Sequence, residues 1–70
     1  MQRKNVSSSN LASVWYDAKN EILEIEFNHW GVYQYNWVSE NVYNSLISSA
    51  SLGSYFAYNI KNNYSCIRIK

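Results

Sequence analysis

The chain has 70 residues, six Lys or Arg against five Asp or Glu, one Cys, one His and no Pro, and 17% of it is aromatic. That length holds one domain with a small core. A single Cys excludes a disulfide framework, one Cys with one His excludes a Cys/His zinc cluster, and a formal net charge of +1 lacks the strong basic excess of a dedicated nucleic-acid binder.

In chain order, Met1 to Asn10 is polar and Ser-rich and reads as a tail or loop. It lacks the apolar run of a signal peptide. Ala12 to Asp17 is β-branched and aromatic, a strand, and Ala18-Lys19-Asn20 turns it. Glu21 to Phe27 alternates: Leu23, Ile25 and Phe27 take one face, Glu24 and Glu26 the other. Asn28-His29-Trp30-Gly31 is a turn, with Gly31 free to take positive φ. Val32 to Trp37 is a third strand, and the short links imply an antiparallel meander.

The period then changes. Val42, Tyr43, Leu46, Ile47 and Ala50 form a helical stripe, with Ser39 as N-cap and Glu40 at the positive end of the helix dipole. Leu52, Tyr55, Phe56 and Ile60 form a second, shorter stripe capped by Ser51, and Asn62-Asn63 ends it. Ile67 and Ile69 alternate with Cys66, Arg68 and Lys70, which predicts an edge strand with its basic side chains turned outward. The expectation is one α+β domain over residues 1–70: a three-stranded antiparallel meander, two short helices on one face and a C-terminal edge strand, in the order β-β-β-α-α-β. No stretch is long enough to span a bilayer. One free thiol and no export signal predict a cytoplasmic protein.

A single helical layer covers one sheet face. The first strand carries bulk on both, with Val14 and Tyr16 on one and Trp15 on the other, and Ile22 shares the acidic face with Glu24. The uncovered face therefore keeps apolar area of the kind that marks a contact surface for a second copy or a protein partner.

Candidate sites follow from residue type. Tyr33, Tyr35 and Trp37 alternate onto one face. Beside Leu23, Ile25 and Phe27 they are core beneath the helices; left open, the same rings are a platform on which bases stack. Ser7-Ser8-Ser9-Asn10 offers hydrogen bonds to a phosphate or peptide, or to its own turn. Ser51-Leu52-Gly53 opens a helix and presents N–H groups, as an anion site or as a simple cap. Lys61, Arg68 and Lys70 supply positive charge. Catalysis lacks its pieces: His29 is a lone imidazole in a turn, Glu24 and Glu26 read as a solvated face, and Cys66 has only Arg68 nearby to activate it.

The chain resembles the KTSC domain family, small domains found at the C-terminus of some lysyl-tRNA synthetases and as stand-alone proteins. The matching residues are Val6, Ser8-Ser9-Asn10-Leu11, Tyr16-Asp17, Leu23, Phe27, Gly31, the central Tyr33-Gln34-Tyr35, Val38, Val42-Tyr43, Leu46, Ala50-Ser51, Gly53, Phe56, Ile60 and Tyr64. Ser39, Ser65 and Ala57 stand where the family pattern has two prolines and an asparagine. Attachment to a tRNA-charging enzyme implies RNA binding. Together with the aromatic row and the basic residues, the resemblance predicts a non-enzymatic binding module for RNA or a nucleotide, with no cofactor and no metal. Its expected ligand residues are Ser8, Ser9, Asn10, Tyr33, Tyr35, Ser51, Lys61 and Arg68. The rival expectation is an oligomeric phage or bacterial protein-interaction module that blocks or sequesters a target, favoured by near-neutral charge and the Tyr/Trp surplus.

Overall fold

A computed structural model describes the backbone of Lys4–Asn5 and residues 10–70. Its elements are β1 (Lys4–Asn5), β2 (Leu11–Asp17), β3 (Ile22–Phe27), β4 (Gly31–Tyr35), α1 (Glu40–Ser48), α2 (Leu52–Asn59) and β5 (Cys66–Arg68). The strands form one antiparallel sheet in the order β1-β2-β3-β4-β5. Among the described residues, no helix is long and apolar enough to cross a membrane.

The predicted α+β arrangement stands, with one strand added. Lys4 and Asn5 lie in the stretch read as a tail, yet they pair with Val14 and Ser13. Edge pairing uses only main-chain N–H and C=O groups, so a polar dipeptide can join a sheet without leaving an apolar alternation in the sequence.

The meander obeys its side-chain pattern. Val14 pairs with Ile25, Tyr16 with Leu23, Ile25 with Tyr33 and Leu23 with Tyr35. That register gathers the apolar residues on one face, where Tyr43 and Leu46 of α1 and Phe56 of α2 close the core. A register shift between Leu11 and Ser13 lets Leu11 bury in the same cluster. The β2–β3 turn is held by Asp17. Its carboxylate accepts hydrogen bonds from the Lys19 and Asn20 N–H groups and the Asn20 side-chain amide, and the last of these most lowers its pKa. Both helix starts are those the serines predict: Ser39 Oγ accepts the Val42 N–H and Ser51 Oγ the Ser54 N–H, each at 3.3 Å.

Two local expectations differ from the structure. The aromatic row stops at Tyr35: Trp37 takes φ 66°, leaves the sheet and is 77% exposed. The cause is the passage from the sheet to the helical layer. Val38 is fixed there at both backbone groups, its N–H donating to the Glu21 carbonyl at 2.9 Å and its carbonyl accepting the Tyr16 hydroxyl at 2.6 Å. The other difference lies in β5. Arg68 pairs with Tyr33 and so stands on the Tyr33 side of the sheet, while Ile67 pairs with Gln34 on the opposite side and is 58% exposed.

Candidate functional site

The helix-side rim carries a small depression. Asn10 and Leu11 at the start of β2, Phe27 and Trp30 around the β3–β4 turn, and Gly53, Phe56, Ala57 and Lys61 on and after α2 line a hollow of about 80 Å³. A second hollow of about 50 Å³ shares Asn10 and Trp30 and adds Asn28 and His29. Asn10 is fixed against the turn, since the Asn28 N–H donates to the Asn10 carbonyl at 2.9 Å. Phe27 anchors the wall, with its ring 5.7 Å from Trp30, 5.6 Å from Tyr33 and 5.4 Å from Phe56. Pockets that enclose a drug-sized ligand measure roughly 300–1,000 Å³. This depression is well below that size.

The expected ligand residues are dispersed. Asn10 and Lys61 meet at the depression. Ser51 caps α2. Tyr35 is core, 4% exposed and edge-on to Phe56 at 5.3 Å. Burial, reinforced by Cys66 and Tyr33, holds its hydroxyl far above the ordinary phenol pKa. Tyr33 is half-buried against Phe27. Arg68 lies on β5, where its Nε donates to the Lys70 carbonyl at 2.8 Å. Ser8 and Ser9 lie outside the described residues. The turn residues Asn28, His29 and Trp30 join Asn10 and Lys61 instead. Their signal in the sequence was a large aromatic in a turn, and Trp30 is indeed 59% exposed.

The sheet face opposite the helices is different in character. Alternation places Trp15 and Asp17 of β2, Ile22, Glu24 and Glu26 of β3, Val32 and Gln34 of β4 and Ile67 of β5 on it. Ile69 follows next to Val32, bonded through the Ile69 N–H and the Val32 carbonyl at 2.8 Å. The carboxylates are oriented by neighbours: Glu24 accepts from the Gln34 side-chain amide at 2.9 Å, and Glu26 from the Ser13 hydroxyl at 2.8 Å. Trp15 stands directly across from Glu24. No Lys or Arg of β2 to β5 faces this side. It is an apolar surface with negative charge at its middle. Among the described residues, no cluster of His, Cys, Asp and Glu is arranged to hold a metal ion.

The KTSC domain model matches residues 7–64, which contain β2 to α2 and reach Tyr64 beyond α2. The chain belongs to the KTSC domain family. A crystal structure of a KTSC domain protein from Yersinia pestis is 40% identical and superposes with a TM-score of 0.96, covering 99% of this chain and 97% of the other. An uncharacterized protein of Stutzerimonas stutzeri (strain A1501) is 39% identical over 56 residues, which is 80% of this chain and 79% of its own length. The KTSC match contains the depression and most of the acidic sheet face, and ends before β5.

Proposed function

We propose that this KTSC domain is a non-enzymatic binding module that engages a protein partner through the sheet face opposite its helices. One observation carries the reading. That face bears Glu24, Glu26 and Asp17 among Trp15, Ile22, Ile67 and Ile69, around a buried Val32, and neither described helix packs on it. A fitting partner presents Lys or Arg beside apolar side chains, so that charge steers the encounter and apolar contact holds it. The near-neutral overall charge supports the same class. The test is affinity capture with the wild-type chain and with Glu24→Lys/Glu26→Lys, followed by titration of each captured protein in purified form. A purified partner that binds the wild type and loses at least tenfold in affinity to the double variant supports the reading. Equal affinity for both forms refutes it.

The nucleic-acid reading has its own location. Trp30 is exposed beside the Lys61 rim, and a base stacked on such a ring contributes about 1–3 kcal/mol. Among the described residues few cations lie near, so few phosphates are neutralised and binding would be weak, with a shallow salt dependence. Titration of single-stranded RNA and of mononucleotides at low salt, read by tryptophan fluorescence in wild type and Trp30→Ala, decides it. An unchanged signal in the wild type removes this reading.

A further inference from the structure

We infer that Trp37, where β4 passes into α1, is a contact residue that takes an arginine of a protein partner on its exposed ring. An exposed apolar side chain is ordinary by itself. Trp37 is exposed and strained together: 77% of it is open, and its φ of 66° is a left-handed conformation that disfavours every side chain. Among the described residues its indole stacks on no other ring, whereas the exposed Trp30 leans on Phe27 at 5.7 Å. The fold gains little from an indole here, and glycine would hold the same backbone without strain. Backbone outliers of this kind persist where the surroundings fix them, and they concentrate at ligand contacts.

The surroundings do fix this one. Before Trp37, the Asn36 N–H donates to the Ser65 carbonyl at 2.9 Å. After it, the Val38 N–H donates to the Glu21 carbonyl at 2.9 Å, and the Val38 carbonyl accepts the Tyr16 hydroxyl. Val38 itself is fully buried. Trp37 is thus presented from a clamped segment, so little backbone freedom is lost when a partner settles on it.

Charge selects the occupant. Glu21 supplies the carbonyl that clamps Val38. Glu40 opens α1 directly after its Ser39 cap, and Asp17 pairs with Ile22, the residue after Glu21. Their nearness to this corner shows in Tyr16, whose phenol pKa is raised by burial and then by Glu21, Glu40 and Asp17. Among the described residues the β2–β3 turn adds one cation, Lys19. Three carboxylates against one ammonium repel the phosphates of a nucleic acid. A guanidinium suits them: it is flat, weakly hydrated and stacks on an indole face. This corner lies beyond the middle of the acidic sheet face and does not rest on the function proposed for it.

Heteronuclear NMR of the full chain tests the assignment, with acetyl-Gly-Arg-Gly-Arg-Gly-amide as probe. The matched control peptide carries citrulline, which keeps the shape of arginine without its charge. The arginine peptide should shift the Trp37 indole N–H and the Asn36 and Val38 amides, saturating in the millimolar range expected of so small a contact. Trp37→Gly should abolish the amide shifts in a folded chain, and Trp37→Phe should restore part of them. Glu21→Gln/Glu40→Gln should weaken binding by about threefold or more, while Glu24→Gln/Glu26→Gln should leave the Trp37 response in place. No saturable shift at Trp37, an equal response to the citrulline peptide, amide shifts that survive Trp37→Gly, or a Trp37 response to single-stranded RNA instead would each overturn the inference.

Discussion

Two tyrosines stacked in the core make opposite predictions for the same chemical change. Tyr16 and Tyr43 lie ring on ring, 4.7 Å apart and 9° from parallel, and both are buried. The Tyr16 hydroxyl donates to the Val38 carbonyl at 2.6 Å, whereas the buried Tyr43 hydroxyl has no hydrogen-bond partner among the described residues. Replacing either by Phe keeps the ring and removes one oxygen. Tyr16→Phe strips the fully buried Val38 of its hydroxyl donor and costs about 1–3 kcal/mol. Tyr43→Phe deletes a desolvated group that gains nothing in return, and is neutral or stabilising by about 1–3 kcal/mol. A chain of this size has roughly 3–10 kcal/mol of total stability, and each kcal/mol moves Tm by about 4–8 °C. Urea denaturation of the two variants beside wild type measures the difference. Equal losses, or a larger loss for Tyr43→Phe, would refute the hydrogen-bond assignment and with it the account of how Val38 is held.

Gly31→Ala should be costly. Gly31 has φ 93°, and a Cβ there would run into the Lys70 carbonyl oxygen; the expected loss is about 1–3 kcal/mol, with amide exchange accelerated first in β5. Trp37→Gly should leave stability unchanged or raise it. It removes a non-glycine residue from φ 66° at about 1–2 kcal/mol of relief, against roughly 1 kcal/mol of added backbone entropy, so a clear drop in the urea midpoint would show that the exposed indole packs. Burial raises the pKa of Tyr16, Tyr35 and Tyr43. The folded chain then holds these protons more tightly than the unfolded chain. Their contribution is full below the ordinary phenol pKa of about 10 and is lost as pH rises above it. Ultraviolet titration should show these three phenols ionising together with alkaline unfolding, and ionisation in the folded state would contradict the burial argument.

Much of this architecture was legible because it is written in side-chain periodicity. The alternation of Leu23, Ile25 and Phe27, the helical spacing of Tyr43 and Leu46, and the capping serines Ser39 and Ser51 each state their structure locally. The bulk on both faces of β2 likewise announced an uncovered surface. What escaped was set by the main chain or by distant partners. The pairing of Lys4–Asn5 uses only backbone groups. Trp37 leaves its row because Glu21 and Tyr16, far off in sequence, fix Val38. Arg68 is placed by its register with Tyr33 and by the room Gly31 leaves. For the candidate site the same division holds. Asn10 and Lys61, named in the sequence as ligand residues, both line the hollow, but its wall depends on Trp30 and Phe27 meeting across the fold.

The strands sit side by side in the order in which the chain makes them. β2, β3 and β4 can therefore zip as successive hairpins, each on a time scale of about 1–10 μs, before either helix has docked. β5 is the exception, because it reaches β4 only after the whole helical excursion has been made, and closing that loop costs more entropy than any hairpin turn. That entropy favours β5 joining last during assembly. Nucleation thus belongs to the middle of the molecule, and its C-terminal border is fastened late.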